Sequence, residues 1–312
     1  MIFNRARRKN MILSTTTGAI AKRYGHESAI KMIAAAGFDA YDLDMCHIHI
    51  TDTRISHDGY LDYAKQLKAV ADGCGIICNQ AHAPFPTQLN GNDEYNKMTL
   101  DLIIRSMEVA SILGAKIIVV HPIKNSSSSL TKGYSYEQFE SKKQLYDANI
   151  EFFKGLIPHC ERLGIKIAVE NMWERHPLRR DTLIPAILGS SEEHTKFISD
   201  LDSPWIVGCL DIGHALICGE NPEDAVRRLG GDQLKALHVH DCNGYEDSHT
   251  LPYSMQTDWG AILQALSDIK YDGDFTFEAD NFLKNYPDAL IPEALRYMCT
   301  VGRYMVGEIS EN

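Results

Sequence analysis

The sequence predicts an α/β fold, a single (β/α)8 barrel. Eight short β-rich apolar runs recur along the 312 residues, and longer segments with helical spacing separate them. Nearly every run closes on a polar side chain at its C-terminal end, the end where barrels of this kind carry their active sites. No glycine-rich phosphate loop follows the first run, so a nucleotide-binding open sheet lacks support.

The expected strands are residues 12–17, 40–45, 76–83, 116–121, 166–171, 206–211, 236–240 and 274–278. After the first, Ile30, Met32, Ile33 and Ala36 fall at helical spacing, and Gly37 then ends the helix. After the second, Leu61, Tyr63, Ala64, Leu67 and Val70 precede Gly73 and Gly75. After the third, Leu100, Leu102, Ile103, Met107, Ala110 and Leu113 precede Gly114. Residues 126–129, all serine, read as a flexible loop after the fourth strand. Gly164 repeats the helix-ending glycine before the fifth strand, and Gly230 and Gly231 repeat it before the seventh. Residues 173–191 hold two prolines and no clear periodicity, which predicts a long loop of functional interest. Asp258 before Trp259 reads as the N-cap of the seventh helix. Nothing resembles an interdomain linker, so residues 11–312 are expected to form one catalytic barrel. Residues 1–10, with Arg5, Arg7, Arg8 and Lys9, are expected to be an N-terminal extension and not a signal peptide, because Met11-Ile12-Leu13 gives way at once to Ser14-Thr15-Thr16-Thr17.

A net charge of −11 argues against non-specific binding to nucleic acid, which needs a positive field. The eight cysteines are scattered without a CxxC pair, the usage of reduced thiols in a reducing compartment; a cytoplasmic location is expected. No stretch approaches the length of a membrane span.

The third run contains Gln80 and His82, and the fourth ends at His121. The fifth ends at Glu170-Asn171, and the sixth at Asp211 with His214 close behind. The seventh ends His238-Val239-His240-Asp241, and the eighth at Glu278. Carboxylates and imidazoles converging at one barrel rim would repel or desolvate one another unless a cation sat among them. Glu170, Asp211, His240 and Glu278 are the expected ligands. That oxygen-rich set suits one divalent cation, Mn²⁺ first, with Mg²⁺, Co²⁺ or Zn²⁺ as alternatives. His238 is read as facing the helices in a structural role. His47 and His49 are read as exposed loop residues, and Asp42 as either a cleft residue or a cap.

These strand ends resemble the xylose-isomerase-like superfamily of sugar (phosphate) isomerases and epimerases, which also contains endonuclease IV. The resemblance spans residues 11–308. It rests on Val169-Glu170-Asn171, on Leu210-Asp211-Ile212-Gly213-His214-Ala215, and on an HxHD…DxHxxP…DW pattern carried by His238, His240, Asp241, Asp247, His249, Pro252, Asp258 and Trp259. It implies Glu170, Asp211, His240 and Glu278 as metal ligands and His82, His121, His214, Asp247 and His249 as groups near the substrate. These nine also fill the endonuclease's ligand positions, which keeps a site for several ions open. The sequence departs from the ketose 3-epimerases in two places. Glu170-Asn171-Met172-Trp173-Glu174 stands where they carry a Glu-Pro-Leu-Asn-Arg-type motif, and Glu246 stands where they carry arginine.

The expected reaction moves a proton next to a carbonyl through an enediolate, giving isomerisation or epimerisation of a sugar or sugar derivative. Glu170 and Glu278 would be the acid and base. His214 would hydrogen-bond a substrate oxygen. Arg175, Arg179 and Arg180 either grip a phosphate or carboxylate on the substrate or lie solvated. A lyase of the inosose dehydratase or carbon-glycoside-cleaving kind needs the same metal and base, and an endonuclease IV-like zinc phosphodiesterase is the lesser alternative. Barrels of this kind often pair through their helices, so a homo-oligomer is an expected partner state; the carbon-glycoside-cleaving reading adds a small partner subunit, and no membrane partner is expected.

Overall fold

A computed structural model describes residues 11–48, 54–89, 91–125, 141–176, 179–184 and 186–311. The N-terminal extension, His49 and the serine run therefore lie outside the described residues. Among the described residues, eight parallel strands form the barrel: β1 (Leu13–Thr16), β2 (Ala40–Asp44), β3 (Ile77–His82), β4 (Ile117–Val120), β5 (Lys166–Glu170), β8 (Ile206–Asp211), β9 (Leu234–His238) and β10 (Phe275–Phe277). They are hydrogen-bonded in the order β10-β1-β2-β3-β4-β5-β8-β9. The last gap closes where the Val239 amide donates to the Thr276 carbonyl (2.9 Å) and the Glu278 amide donates to the Val239 carbonyl (3.1 Å). A ring so closed leaves no free sheet edge.

Helices follow the strands: α1 (Gly18–Tyr24) and α2 (His26–Ala36), α3 (Tyr60–Cys74), α4 (Asp93–Leu113), α5 (Lys142–Leu163), α6 (Ser191–Leu201), α7 (Ile212–Ile217) and α8 (Pro222–Gln233), α9 (Trp259–Asp268), α10 (Asp280–Leu283) and α11 (Ile291–Glu311). Gly114 and Gly164 take the left-handed conformation at the ends of α4 and α5, with φ of 92° and 64°. A side chain there would be strained, and the turn delivers the chain straight into β4 and β5. The Asp258 carboxylate accepts from the Ala261 amide, capping α9 as its position suggests.

One expectation needs correcting. Residues 173–191 are not simply loop: β6 (Glu174–His176) and β7 (Arg179–Ile184) pair as an antiparallel hairpin outside the barrel.

Two packing layers fix which way each strand residue faces. The large core lies between strands and helices. A second, small cluster of Val119, Ala168, Val207, Cys209 and Ala236, with Ile117 against it, fills the inside of the ring. Side chains alternate along a strand, so residues an even number of places beyond these also point inward. That rule sends His121, Glu170, Asp211, His238 and His240 to the interior mouth.

Candidate metal centre

Ligand-type side chains crowd the C-terminal mouth. Among the described residues, Glu170, Asp211, His238 and Glu278 offer atoms all within 4.8 Å of one another. So do His82, His121 and Glu170; His214, Asp247 and His249; His240, His249 and Glu278; and Asp42, His82 and His238.

His238 corrects the sequence reading. It is fully buried inside the ring, with Nδ1 3.3 Å from Glu170 Oε2 and 3.2 Å from Glu278 Oε2. Residues two apart in a strand share a face, so His238 and His240 point the same way. His240 stands against Asp211 (Nε2 to both carboxylate oxygens, 3.1 Å) and stacks on His249 at 4.3 Å. The imidazole grouped with Glu170, Asp211 and Glu278 is that of His238.

Several imidazoles have one nitrogen tied down, which leaves the other to face the centre. His82 Nδ1 donates to Asp42 Oδ2 (3.2 Å), and its Nε2 lies 3.9 Å from Glu170 and 3.8 Å from Glu278. His214 Nδ1 donates to the Asn171 carbonyl (2.8 Å), and its Nε2 lies 3.3 Å from Asp247. His240 Nδ1 donates to the Asp241 carbonyl (3.2 Å). Such outer partners set the tautomer and orientation that a ligand imidazole needs. Asp42 thus lies in the cleft and is no cap, and Gln80 joins it by donating to Asp42 (2.8 Å) while sitting 3.2 Å from His238 Nε2.

Backbone motifs hold the carboxylates. Asn171 donates to the Asp211 carbonyl (3.0 Å) and accepts the Asp211 amide (2.7 Å), clipping the ends of β5 and β8 together. Asp211 in turn caps α7 by accepting the His214 amide (2.6 Å). Asp241 accepts from the Cys242 and Met255 amides, the Thr257 hydroxyl and the Trp259 indole, which ties α9 to the loop carrying Asp247 and His249. Trp259 of the sequence pattern is therefore part of a loop anchor centred on Asp241, while Asp258 caps α9.

A cation fits this set on two grounds. Glu170 Oε2, His82 Nε2, His238 Nδ1 and Asp247 Oδ1 are buried with no hydrogen-bond partner, although opposite groups stand within 4 Å. Buried polar atoms left so are costly unless something else coordinates them. The electrostatics agree. Burial pushes Glu170 up, but His121 and His238 outweigh it and hold its carboxyl well below the usual range. Burial, with Glu170 and Asp211 nearby, pushes Glu278 well above it. Asp211, despite burial, is brought down to about 2 by His214 and His240. Burial opposes protonation of His82 and His214, yet the carboxylates around them raise both well above the ordinary imidazole value.

Among the remaining candidates, Asp247 and His249 face each other at 3.1 Å in the loop after β9, and His47 is exposed. Arg175 lies on the Tyr245 ring (4.2 Å) and donates to the Tyr245 carbonyl, so it joins the loops after β5 and β9. The side chains of Arg179 and Arg180 lie outside the described residues. No helix among the described residues is long and apolar enough to cross a membrane.

Residues 30–301 match the family described as xylose isomerase-like TIM barrel. An uncharacterised protein of Methanocaldococcus jannaschii, MJ1311, is 31% identical over 261 residues, covering 81% of this chain and 79% of that one. Among solved structures, a D-tagatose 3-epimerase-like protein is 23% identical with a TM-score of 0.71, covering 96% and 99% of the two chains. D-psicose 3-epimerase in the presence of D-fructose is 18% identical with a TM-score of 0.72, covering 95% and 100%.

Proposed function

The chain belongs to the xylose isomerase-like TIM barrel family, and we propose that it is a divalent-metal-dependent isomerase or epimerase of a sugar or sugar derivative. One observation carries this reading: Glu170 and Glu278, from strands with two others between them, approach the same His238 nitrogen at 3.3 and 3.2 Å. Two carboxylates thus border one small volume from different sides. Epimerisation at a carbon beside a carbonyl is served by that arrangement, with one group to remove hydrogen from one face and another to return it to the other.

Glu170, Asp211, His238 and Glu278 would hold the cation, with His240 beside them against Asp211. The cation, Mn²⁺ by preference, would stabilise negative charge developing on substrate oxygens. Glu170 and Glu278 would form the acid–base pair, one taking the proton and the other returning it, with coordination to the cation keeping both carboxylates ionised and available as bases. His214 would keep its substrate-facing nitrogen available through its bond to the Asn171 carbonyl. Delivery to the other face of the same carbon gives epimerisation; delivery to the neighbouring carbon gives isomerisation. Departure of a β-substituent after proton removal would make the same residues a lyase. We place the enzyme in the cytoplasm, on the grounds of its eight free cysteines.

A second reading has its own observation. His82, His121 and Glu170, then Glu170, Asp211, His238 and Glu278, then His214, Asp247 and His249 make three ligand groups, two of them sharing Glu170. Several ions so placed would suit zinc-dependent phosphodiester hydrolysis. The net charge of −11 weighs against a DNA duplex as substrate.

Mn²⁺-loaded protein incubated in D₂O with a panel of ketoses and sugar acids is expected to exchange carbon-bound hydrogen with solvent. Glu278→Gln is expected to lower that rate roughly 10²–10⁴-fold while leaving the barrel folded. Incision of an abasic duplex by a protein that exchanges no carbon-bound hydrogen would replace this reading with the hydrolytic one.

A further inference from the structure

Lys124 lies three residues beyond His121 on the loop after β4, half-buried. Its ammonium sits 5.8 Å from the centroid of the Phe85 ring and 5.6 Å from that of Trp173. Each ring touches a histidine of the centre: Phe85 packs on His121 at 4.6 Å, and Trp173 meets the His214 ring edge-on at 6.3 Å. The two aromatic side chains therefore hold this cation at the rim of the cleft and keep it from swinging out to water.

No carboxylate and no hydrogen-bond acceptor among the described residues is within bonding reach of the ammonium. Burial lowers its pKa, and the fields of Glu174, Asp247 and Glu170 only partly compensate. A cation partly removed from water without a paired anion is an unfavourable arrangement that a bound anion would relieve. The other cation at the rim, Arg175, is engaged with Tyr245. The cleft below is lined by Glu170, Asp211, Asp247 and Glu278, which would repel an anionic ligand. A substrate bearing a negative group needs a positive one at the entrance.

We infer that Lys124 is a specificity-determining residue that receives an anionic substituent of the substrate, a phosphate or a carboxylate, at the mouth of the barrel. This rests on the isomerase/epimerase reading and names the substrate class for it. A Lys ammonium, with three rotatable donors, accepts either oxyanion.

Calorimetric titration of the Mn²⁺-loaded protein with D-fructose, D-fructose 6-phosphate and D-fructuronate tests the inference, because the three differ only at one terminal carbon. At least one charged ligand is expected to bind about tenfold or more tightly than D-fructose; which one identifies the anion. Lys124→Met is expected to bring the ratio close to one, and Lys124→Arg to keep most of it, with Mn²⁺ content and melting temperature unchanged in both. Equal binding of all three by the wild type, binding of none, or a preference that survives Lys124→Met would overturn the assignment. Anion preference without hydrogen exchange would instead count against the proton-transfer reading and leave the role of Lys124 standing.

Discussion

A methyl group at position 213 would collide with the His240 ring. A Cβ built on Gly213 would lie 2.7 Å from Nε2, inside any ordinary contact. The ring has little room to yield, because it stacks on His249 and faces Asp211 from the other side. Gly213→Ala is therefore expected to cost about 1–3 kcal/mol in stability and to weaken metal binding. Thermal melts and metal titration of the variant check this, and wild-type behaviour in both would show that His240 is free to move. At this scale the sequence is informative in an uneven way. Glu170, Asp211 and Glu278 are legible because each closes an apolar run. His238 is not, once its face is assigned against the two-residue period of a strand. Asp42 and Gln80 meet the centre through hydrogen bonds to His82 and His238, a role that the sequence leaves undecided between cleft and cap for Asp42 and does not assign to Gln80. Lys124 looks like any lysine after a strand until Phe85 and Trp173, distant in sequence, are seen on either side of it.

Elements carry the site by bringing chain-distant residues into one layer. The inward residues of β4, β5, β8 and β9 form a small apolar plug, and the next inward positions include the proposed ligands Glu170, Asp211 and His238. That stacking explains why the barrel strands could be found from apolar runs bounded by helix-ending glycines. It also explains why the polar residue at a run's end is informative: it stands one layer above a packed interior. The hairpin of β6 and β7 escapes such reading. Its segment holds Glu174, Arg175, Arg179, Arg180 and Asp181, without the apolar alternation that reveals a strand. A two-stranded ribbon is marginal alone, and here Arg175 fastens it to Tyr245 in the loop after β9.

For the whole molecule, the cluster links stability to pH and, with the proposed cation, to metal. In the metal-free protein His82, His214, His240 and His249 are raised above their ordinary values, each by facing carboxylates that outweigh burial. The folded state then binds more protons than the unfolded state above about pH 6.5, so stability is expected to fall as pH rises from there toward 8. Histidines shifted down by burial, such as His121 and His194, act in the opposite sense only below their unfolded value. A bound cation needs deprotonated ligands, so its affinity grows over the same range. The gap in Tm between Mn²⁺-loaded and chelator-treated protein is expected to widen from pH 6.5 to 8. A gap that stays constant or narrows would mean that these groups do not meet the metal.

The most direct measurement is a crystal structure of the Mn²⁺-loaded protein with anomalous scattering recorded near the manganese edge. The expected result is a peak inside the barrel mouth with Glu170, Asp211, His238 and Glu278 all at about 2.2 Å. An empty mouth, or a peak from which His238 is turned away, would contradict it.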